Sequence, residues 1–292
     1  MASSGGGAAA VGARGAANAI ARVETPAPRP KQRRWTRFVL PVYSAIVLIY
    51  LVLPILVMIL YGFNDSGFKR VSFRWLGFTT EWYRKLFAIQ DLSNSMKNSL
   101  IVATVSTLIA TALGTMMALA LVRYRFRGKG ASEFVMFLNI AAPEIVLGAS
   151  LLSLFITFGV PRGMLTIVIA HVMFNIAFVA ITVRARLSGF DRAVEEAAQD
   201  LGATPWVTFW KVTFPMIFPG ILAGALLAFA LSIDDFIITN FVAGATQTFP
   251  LWVYGTVKVG IPPQVFVMGT LIFMVGVLIA VANVVAQRRR PV

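Results

Sequence analysis

Six long apolar runs, separated by polar segments, organise this sequence. They lie at about residues 38–61, 99–122, 134–158, 164–183, 216–241 and 265–285. An α-helix rises ~1.5 Å per residue, so about 20 apolar residues cross a hydrocarbon layer of ~30 Å. The pattern therefore predicts an all-α, polytopic membrane protein with six transmembrane helices.

The basic residues predict the orientation of these helices. Lys and Arg clusters stand at alternate ends of the apolar runs: Lys31, Arg33, Arg34 and Arg37; Arg123, Arg125, Arg127 and Lys129; Arg184 and Arg186; Arg288, Arg289 and Arg290. Because basic residues are retained on the cytoplasmic side, both termini are predicted to be cytoplasmic. Segments 62–97 and 242–263 then lie outside, and a short amphipathic helix is predicted near 81–89. The outer segment 62–97 carries basic residues of its own, which is the main exception to the pattern.

The N-terminal part of the chain is rich in Gly, Ala, Ser and Pro. Such a segment cannot bury enough apolar surface to offset the entropy lost on ordering. We predict a disordered cytoplasmic tail over residues 1–35, followed by a six-span membrane domain over residues 36–292. The first apolar run is too long for the hydrophobic part of a signal peptide and has no small-residue cleavage site. It is therefore expected to remain as the first span.

Composition agrees with a membrane protein and narrows its chemistry. Hydrophobic residues make up 58% of the chain and charged residues 13%, whereas soluble domains have about 25% charged residues. The net charge of +14 lies almost entirely outside the apolar runs, which argues for the positive-inside pattern and against nucleic-acid binding. The chain has no Cys, and it contains no G-x-x-x-x-G-K-[ST] phosphate loop. We predict no metal site and no cofactor in this chain, and any ATP hydrolysis would belong to another subunit.

Three acidic residues fall within the predicted spans: Glu144 in the third, and Asp234 and Asp235 in the fifth. An ionised side chain at the bilayer centre costs on the order of 3 kcal/mol. The spans contain no Lys or Arg to neutralise these acids, so a cation in transit is the simplest partner. Pro143 precedes Glu144 and disturbs the helix there, which would expose backbone carbonyls beside the carboxylate. All three acids are therefore candidates for a cation path.

Each of these residues also has a structural interpretation. Successive helical residues point ~100° apart, so Asp234 and Asp235 cannot both face the path fully, and one of them is expected to cap helix amides or pair with another chain. Glu144 alternatively carries a proton and bonds to a neighbouring helix. His171, in the fourth span, is expected to be a packing and hydrogen-bonding residue rather than a proton relay. Gly220 and Gly224 have the spacing for close helix packing.

The polar segment 184–215 has the signals of two helices joined by a turn. Asp191 can cap the first helix, and Gly202 can end it in a left-handed conformation. Thr204 then caps a second short helix that has Pro205 at its first position. This segment has little apolar surface to bury within itself, so it is expected to dock on another protein.

The residues of this segment carry a resemblance to a known family. Glu196-Ala197-Ala198, then Gly202, then Val212-x-Phe214-Pro215, resembles the EAA loop of bacterial ABC importer permeases. The resemblance implies a cytoplasmic loop that inserts into a groove on the ATP-hydrolysing subunit. It also implies that five residues couple this chain to the ATP-hydrolysing subunit: Glu196, Ala197, Ala198, Gly202 and Pro215.

A wider resemblance covers the chain from about residue 36. The segments 77–83, 123–129, 186–191, 231–236 and 257–260 are similar to the C-type permease of spermidine/putrescine ABC importers. It implies the type I ABC importer architecture in the inner membrane of a bacterium. The implied partners are a second permease, an ATPase dimer that binds ATP and Mg, and an extracytoplasmic substrate-binding protein.

Other functions remain open from the sequence. Permeases for other organic cations, opines or 4-aminobutyrate share much of this pattern. An ATP-independent channel or secondary transporter would use the acids as an ion relay, but it predicts inverted repeats and leaves the segment 184–215 unexplained. A membrane enzyme would need a nucleophile with its base, a metal cluster or a cofactor fingerprint, and none is recognisable in the sequence.

Overall fold

A computed structural model describes residues 36–66, 74–189 and 191–288. The predicted tail at residues 1–35 lies outside the described residues, as do Lys69, Arg70, Arg289 and Arg290. The chain forms two compact units, Met1–Val57 and Met58–Val292, and their boundary lies within the first helix.

The described residues form α-helices and connecting segments, with no β-strand among them. The helices are α1 Thr36–Tyr61, α2 Glu81–Arg84, α3 Gln90–Arg123, α4 Lys129–Ala141, α5 Glu144–Thr157, α6 Met164–Ser188, α7 Ala193–Asp200, α8 Pro205–Thr208, α9 Phe214–Asp234, α10 Ile237–Val242, α11 Phe249–Val257 and α12 Gln264–Arg288. A 3₁₀ turn at Leu86–Ala88 follows α2, so the short helix predicted near 81–89 is present as two turns. The predicted all-α fold is confirmed.

Four helical segments of the described chain are long and apolar enough to cross a membrane: Phe38–Tyr61, Gln90–Arg123, Met164–Ser188 and Pro205–Asp234. The pair α4 and α5 adds a fifth if the two helices form one broken span. Helix α12 is apolar over Gln264–Ile279, which is a shorter stretch. The count of six spans and the orientation of the termini stay predictions.

The third predicted span, 134–158, is not one helix. Helix α4 ends at Ala141, α5 begins at Glu144, and the two are bent by 110°. Pro143 forces the preceding residue out of the helical region, and Ala142 accordingly has an extended backbone with φ −70° and ψ 137°. The disturbance expected at Pro143 is present as a complete break.

The fifth predicted span, 216–241, is wrong at both ends. Helix α9 stops at Asp234, Asp235 is extended with ψ 121°, and the chain resumes as α10. At the other end, the short helix predicted after Thr204 is continuous with this span, through a π-helical turn at Phe209–Thr213. The aspartates therefore lie at a helix end rather than within a helix.

Two further boundaries also differ from the prediction. Helix α3 begins at Gln90, nine residues before the predicted span, because its first two turns carry polar residues that the apolar pattern does not reveal. Helix α11 lies in the segment 242–263, which is predicted to lie outside and for which the apolar pattern indicates no helix. Its length of 9 residues is too short for the hydropathy pattern to indicate a span.

Helices α3, α6 and α9 pack against one another through small residues. A Cβ atom added at Gly114 of α3 would lie 2.8 Å from the Cβ of Val179 on α6. From the other side, Gly224 of α9 approaches the same valine, and Gly220 approaches Arg186. The close packing predicted for Gly220 and Gly224 is therefore confirmed, and α6 lies between two glycine-bearing helices.

We predict that Gly114→Ala destabilises the protein by about 1–3 kcal/mol, since the new methyl group overpacks a tight interface. Thermal unfolding of the purified protein in detergent measures this as a lower melting temperature. Gly276→Ala in α12 is the matched control, because a Cβ there meets no atom within 4 Å. Equal melting temperatures for the two variants would contradict the prediction.

Candidate cation site and coupling segment

The two helix breaks meet at one cavity of about 440 Å³. Its wall includes all three acids singled out from the sequence, Glu144, Asp234 and Asp235. Its remaining lining residues are Asn139, Ile140, Ala142, Leu147, Phe174, Phe178, Leu231, Phe236, Ile237 and Ile238. Residues about 90 positions apart in the chain are thus brought to the same site, and no basic side chain is among those that line it.

Ends of four helices meet at the cavity wall. Helices α4 and α9 end there, and their last carbonyls place partial negative charge at the wall. Helices α5 and α10 begin there, with partial positive charge that favours an ionised Glu144 in the first turn of α5. The preference of the cavity for a cation therefore rests on the carboxylate side chains.

The rest of the wall is apolar and aromatic. The rings of Phe174, Phe178 and Phe236 line the cavity, and an aromatic face attracts an ammonium group. Within the described residues, no group of three His, Cys, Asp or Glu side chains could hold a metal ion. This lining suits an organic cation that has both charged and apolar parts. The sequence pattern did not reveal these phenylalanines, because apolar residues are unremarked within apolar spans.

The two adjacent aspartates have different surroundings. Asp235 Oδ1 accepts a hydrogen bond from the Ile238 N–H at 3.3 Å, and Oδ2 accepts from the Thr239 N–H at 2.8 Å and the Thr239 hydroxyl at 2.6 Å. Its side chain is only 6% exposed. Asp234 is exposed and takes no part in these bonds. The expectation that one aspartate of the pair caps helix amides is met by Asp235, which receives the first N–H groups of α10.

His171 connects this cap to the helices around it. The ring is 1% exposed. Its Nδ1 lies 2.6 Å from the Ser232 hydroxyl, and its Nε2 lies 2.9 Å from the Thr239 hydroxyl and 3.3 Å from Asp235 Oδ2. The Ser232 hydroxyl in turn lies 3.1 Å from that of Ser106. His171 is a hydrogen-bonding residue as expected, but the sequence did not show that its partner is a candidate site residue.

The polar segment 184–215 is called the coupling segment below. Its described residues have the local structure that the sequence predicts. Asp191 Oδ1 accepts from the Ala193 N–H at 3.0 Å, and α7 begins there. Gly202 has φ +89°, the left-handed conformation that lets the chain turn. Thr204 Oγ1 accepts from the Val207 N–H at 3.4 Å, with Pro205 at the first position of α8. The helix–turn–helix prediction is confirmed as far as Thr208.

The two adjacent glutamates of α7 differ in their exposure. Glu196 and Ala197 are exposed and Ala198 is partly exposed, and beyond them Leu201 is 90% exposed and Trp206 71% exposed. We refer to these residues as the exposed coupling face, after the role that the resemblance predicts for them. Pro215, also singled out from the sequence, lies apart from that face in the first turn of α9, where it too is exposed.

Glu195, by contrast, is turned inward. It bonds to the guanidinium of Arg123 at the end of α3 and to the hydroxyl of Thr213 in the π-helical turn. From the sequence, Arg123 is an orientation marker within the resembling segment 123–129, and no pairing with Glu195 is expected. Its intramolecular role follows from which side of α7 meets α3, and helical phase alone does not show that.

Comparison with known proteins identifies the family. The family described as binding-protein-dependent transport system inner membrane component matches residues 110–291. This chain belongs to that family. It is 37% identical to the spermidine/putrescine transport system permease protein PotC of Escherichia coli (strain K12), over 82% of this chain and 90% of that protein. It is 41% identical to the putrescine transport system permease protein PotI of the same strain, over 76% of this chain and 81% of that protein.

Solved structures agree at the level of the fold. A bacterial ABC transporter involved in the import of the acidic polysaccharide alginate gives a TM-score of 0.62 at 19% identity, covering 90% of this chain and all of the matched chain. An amino acid ABC transporter with histidines gives a TM-score of 0.55 at 17% identity, over 71% of this chain and 95% of that one. Transporters of chemically different solutes therefore share this fold, so the fold does not identify the substrate.

We predict that Glu195→Gln loosens the coupling segment, because Arg123 loses the charge that holds it and the bridge from α7 to α3 weakens. Hydrogen exchange of the α7 amides should become faster in this variant. Glu196→Gln is the matched control, since Glu196 is an exposed neighbour on the same helix. Exchange that changes equally in both variants would contradict this assignment of the two glutamates.

Proposed function

We propose that this chain is a permease subunit of an ATP-driven importer of polyamines such as spermidine and putrescine. One observation carries the proposal: Glu144, Asp234 and Asp235 line a single cavity between broken helices, and no basic residue lines it with them. Polyamines have several ammonium groups separated by methylene chains. Separate carboxylates within an apolar, aromatic wall complement that alternation of charge and hydrocarbon.

The relatives support this choice of substrate. PotC and PotI are permeases of spermidine/putrescine and putrescine transport systems, and the match to each covers more than three quarters of this chain. The likeness to the alginate transporter carries no weight here, because identity below 25% speaks for the fold alone. An importer of another organic cation is the second candidate, since the same cavity chemistry would serve it.

In the proposed assembly the chain crosses the inner membrane of a bacterium six times, with both termini in the cytoplasm. A second permease completes the path, a binding protein delivers the substrate from outside, and an ATPase dimer binds ATP and Mg. The family description refers to binding-protein-dependent transport. That description supports a binding protein as a partner.

The exposed coupling face gives the proposed contact with the ATPase. The side chains of Leu201 and Trp206 are unusually exposed for apolar residues and suit an apolar groove. Ala197 and Ala198 permit close approach, Gly202 permits the turn, and Glu196 can bond to the ATPase.

The continuous helix Pro205–Asp234 gives the proposed route from that contact to the cavity. One end of this helix lies in the coupling segment, and the other end carries Asp234. Pro215 lies on it just after the π-helical turn. A movement imposed by the ATPase on the segment would therefore reach the cavity along one helix.

The proposal is tested by uptake of radiolabelled spermidine and putrescine into proteoliposomes containing this chain and its operon partners. We expect uptake that requires ATP and that is lost in the double variant Asp234→Asn/Asp235→Asn. ATP-dependent uptake of a different solute, with polyamines ignored, would replace the substrate and keep the transporter class. Uptake that does not depend on ATP would favour a channel or secondary transporter instead.

We also predict that Gly202→Asp abolishes transport while the chain still inserts and assembles with the ATPase. A side chain at φ +89° strains the turn and adds charge at the coupling face. Uptake assays and co-purification of the ATPase measure the two parts. Gly128→Asp is the matched control, because Gly128 also has a positive φ of 96° with open space around it but lies outside the coupling segment. Intact transport in Gly202→Asp, or complete loss of assembly, would contradict the prediction.

A further inference from the structure

We propose that the adjacent aspartates have separate roles: Asp235 is a positioning residue held by His171, and Asp234 acts with Glu144 to bind the cation. This inference rests on the proposed function and assigns the work within its site. It also narrows the preferred substrate to a molecule with at least two ammonium groups, because the two binding carboxylates stand on different helices. Asp234 ends α9, and Glu144 begins α5.

Most acceptor positions of Asp235 are already occupied. Two N–H groups and one hydroxyl of α10 donate to its carboxylate, and the His171 ring lies within 3.3 Å of it. Burial leaves only 6% of the side chain exposed. A substrate ammonium that displaced these donors would leave buried N–H groups without partners, so Asp235 has little capacity left for substrate. The carboxylate is therefore built into the fold.

The hydrogen bonds of Thr239 define the role of His171 Nε2. The Thr239 hydroxyl donates its single proton to Asp235 Oδ2, so it can only accept from His171 Nε2, which therefore carries a proton. On the other side of the ring, Nδ1 is bonded to the Ser232 hydroxyl, which also contacts the Ser106 hydroxyl. Both ring nitrogens thus have a hydrogen-bonding partner, and His171 supports Asp235 through Nε2 and Thr239.

His171 holds both sides of the helix break from one rigid support. Ser232 belongs to α9, Thr239 belongs to α10, and His171 bonds to both from the buried face of α6. Asp234 lies between these two anchored positions, and its own side chain is exposed at the cavity wall. The network thus fixes the backbone of Asp234 while leaving its carboxylate available.

The test compares recognition of a diamine with that of a monoamine of the same chain length. Reconstituted transporter with its partners takes up radiolabelled putrescine, and unlabelled putrescine or 1-aminobutane competes. The ratio of the two inhibition constants reports recognition of the second charge. We expect Asp234→Asn and Glu144→Gln each to lower this ratio by about tenfold or more, the loss of one charge-assisted contact. We expect Asp235→Asn to reduce maximal uptake but to keep the ratio within about threefold of wild type.

Variants of His171 test independently whether this residue positions Asp235 or relays protons. His171→Gln retains a donor near the position of Nε2, so we expect it to keep uptake, the ratio and the wild-type pH profile. His171→Phe removes the donor, so we expect maximal uptake to fall while the ratio persists. A changed pH profile in His171→Gln would identify His171 as a proton relay and overturn the inference. If Asp235→Asn fails to assemble, the ratio measured for His171→Gln decides: an unchanged ratio supports the inference, and a tenfold loss overturns it.

The inference and the proposed function fail in different ways. If the wild-type transporter takes up no polyamine in the presence of ATP, both the proposed function and the division of roles are wrong. If the wild-type transporter takes up polyamine but the ratio of inhibition constants falls as far in Asp235→Asn as in Asp234→Asn, only the division of roles is wrong. The same holds if Asp234→Asn keeps the wild-type ratio.

Discussion

A carboxylate within an apolar span must be hydrogen-bonded, paired or hydrated, because the hydrocarbon layer contains no hydrogen-bond donors and no counter-charges. The two helix breaks of this chain are where that requirement is met. At the break between α9 and α10, Asp235 is satisfied by backbone amides that the break itself releases and by His171. At the break between α4 and α5, Glu144 lies at a helix start that favours its charge. In the proposed function, the remaining negative charge at the cavity between the breaks faces a passing cation.

The helix that carries Asp234 also connects the cavity to the coupling segment. A π-helical turn at Phe209–Thr213 joins α8 to α9 without interrupting the run from Pro205 to Asp234. Glu195 ties that turn to α7 and to Arg123 at the end of α3. In the proposed function, a displacement of the coupling segment therefore acts on two of the helices that pack in the core. The exposed residues Glu196 and Leu201 remain available to a partner because Glu195 supplies the internal contact.

The packing of α3, α6 and α9 gives the site its precision. Gly114 and Gly224 bring their helices into contact with Val179, near the middle of α6. Such close approach leaves little freedom for the helices to slide. The hydrogen bonds of His171 to Ser232 and of Ser232 to Ser106 run across the same three helices. The polar network is therefore supported by the packing of small residues, and each depends on the helices being correctly placed.

Short stretches of the sequence are enough to predict the helical class, the polar coupling segment with its caps, and the three acids within the predicted spans. These features depend on local periodicity, on turn residues such as Gly202, and on the cost of charge in an apolar run, all of which are readable over short distances. The three-dimensional structure was needed to show that Glu144 and Asp234 share a cavity, that Asp235 is bound by His171, and that Glu195 rather than Glu196 faces inward. Those outcomes depend on which helix face meets which, and residues 60 to 90 positions apart leave no local signal of their contact. The same reason explains the misplaced end of the fifth span, since the residues that stabilise the break at Asp235 include a histidine from a different helix.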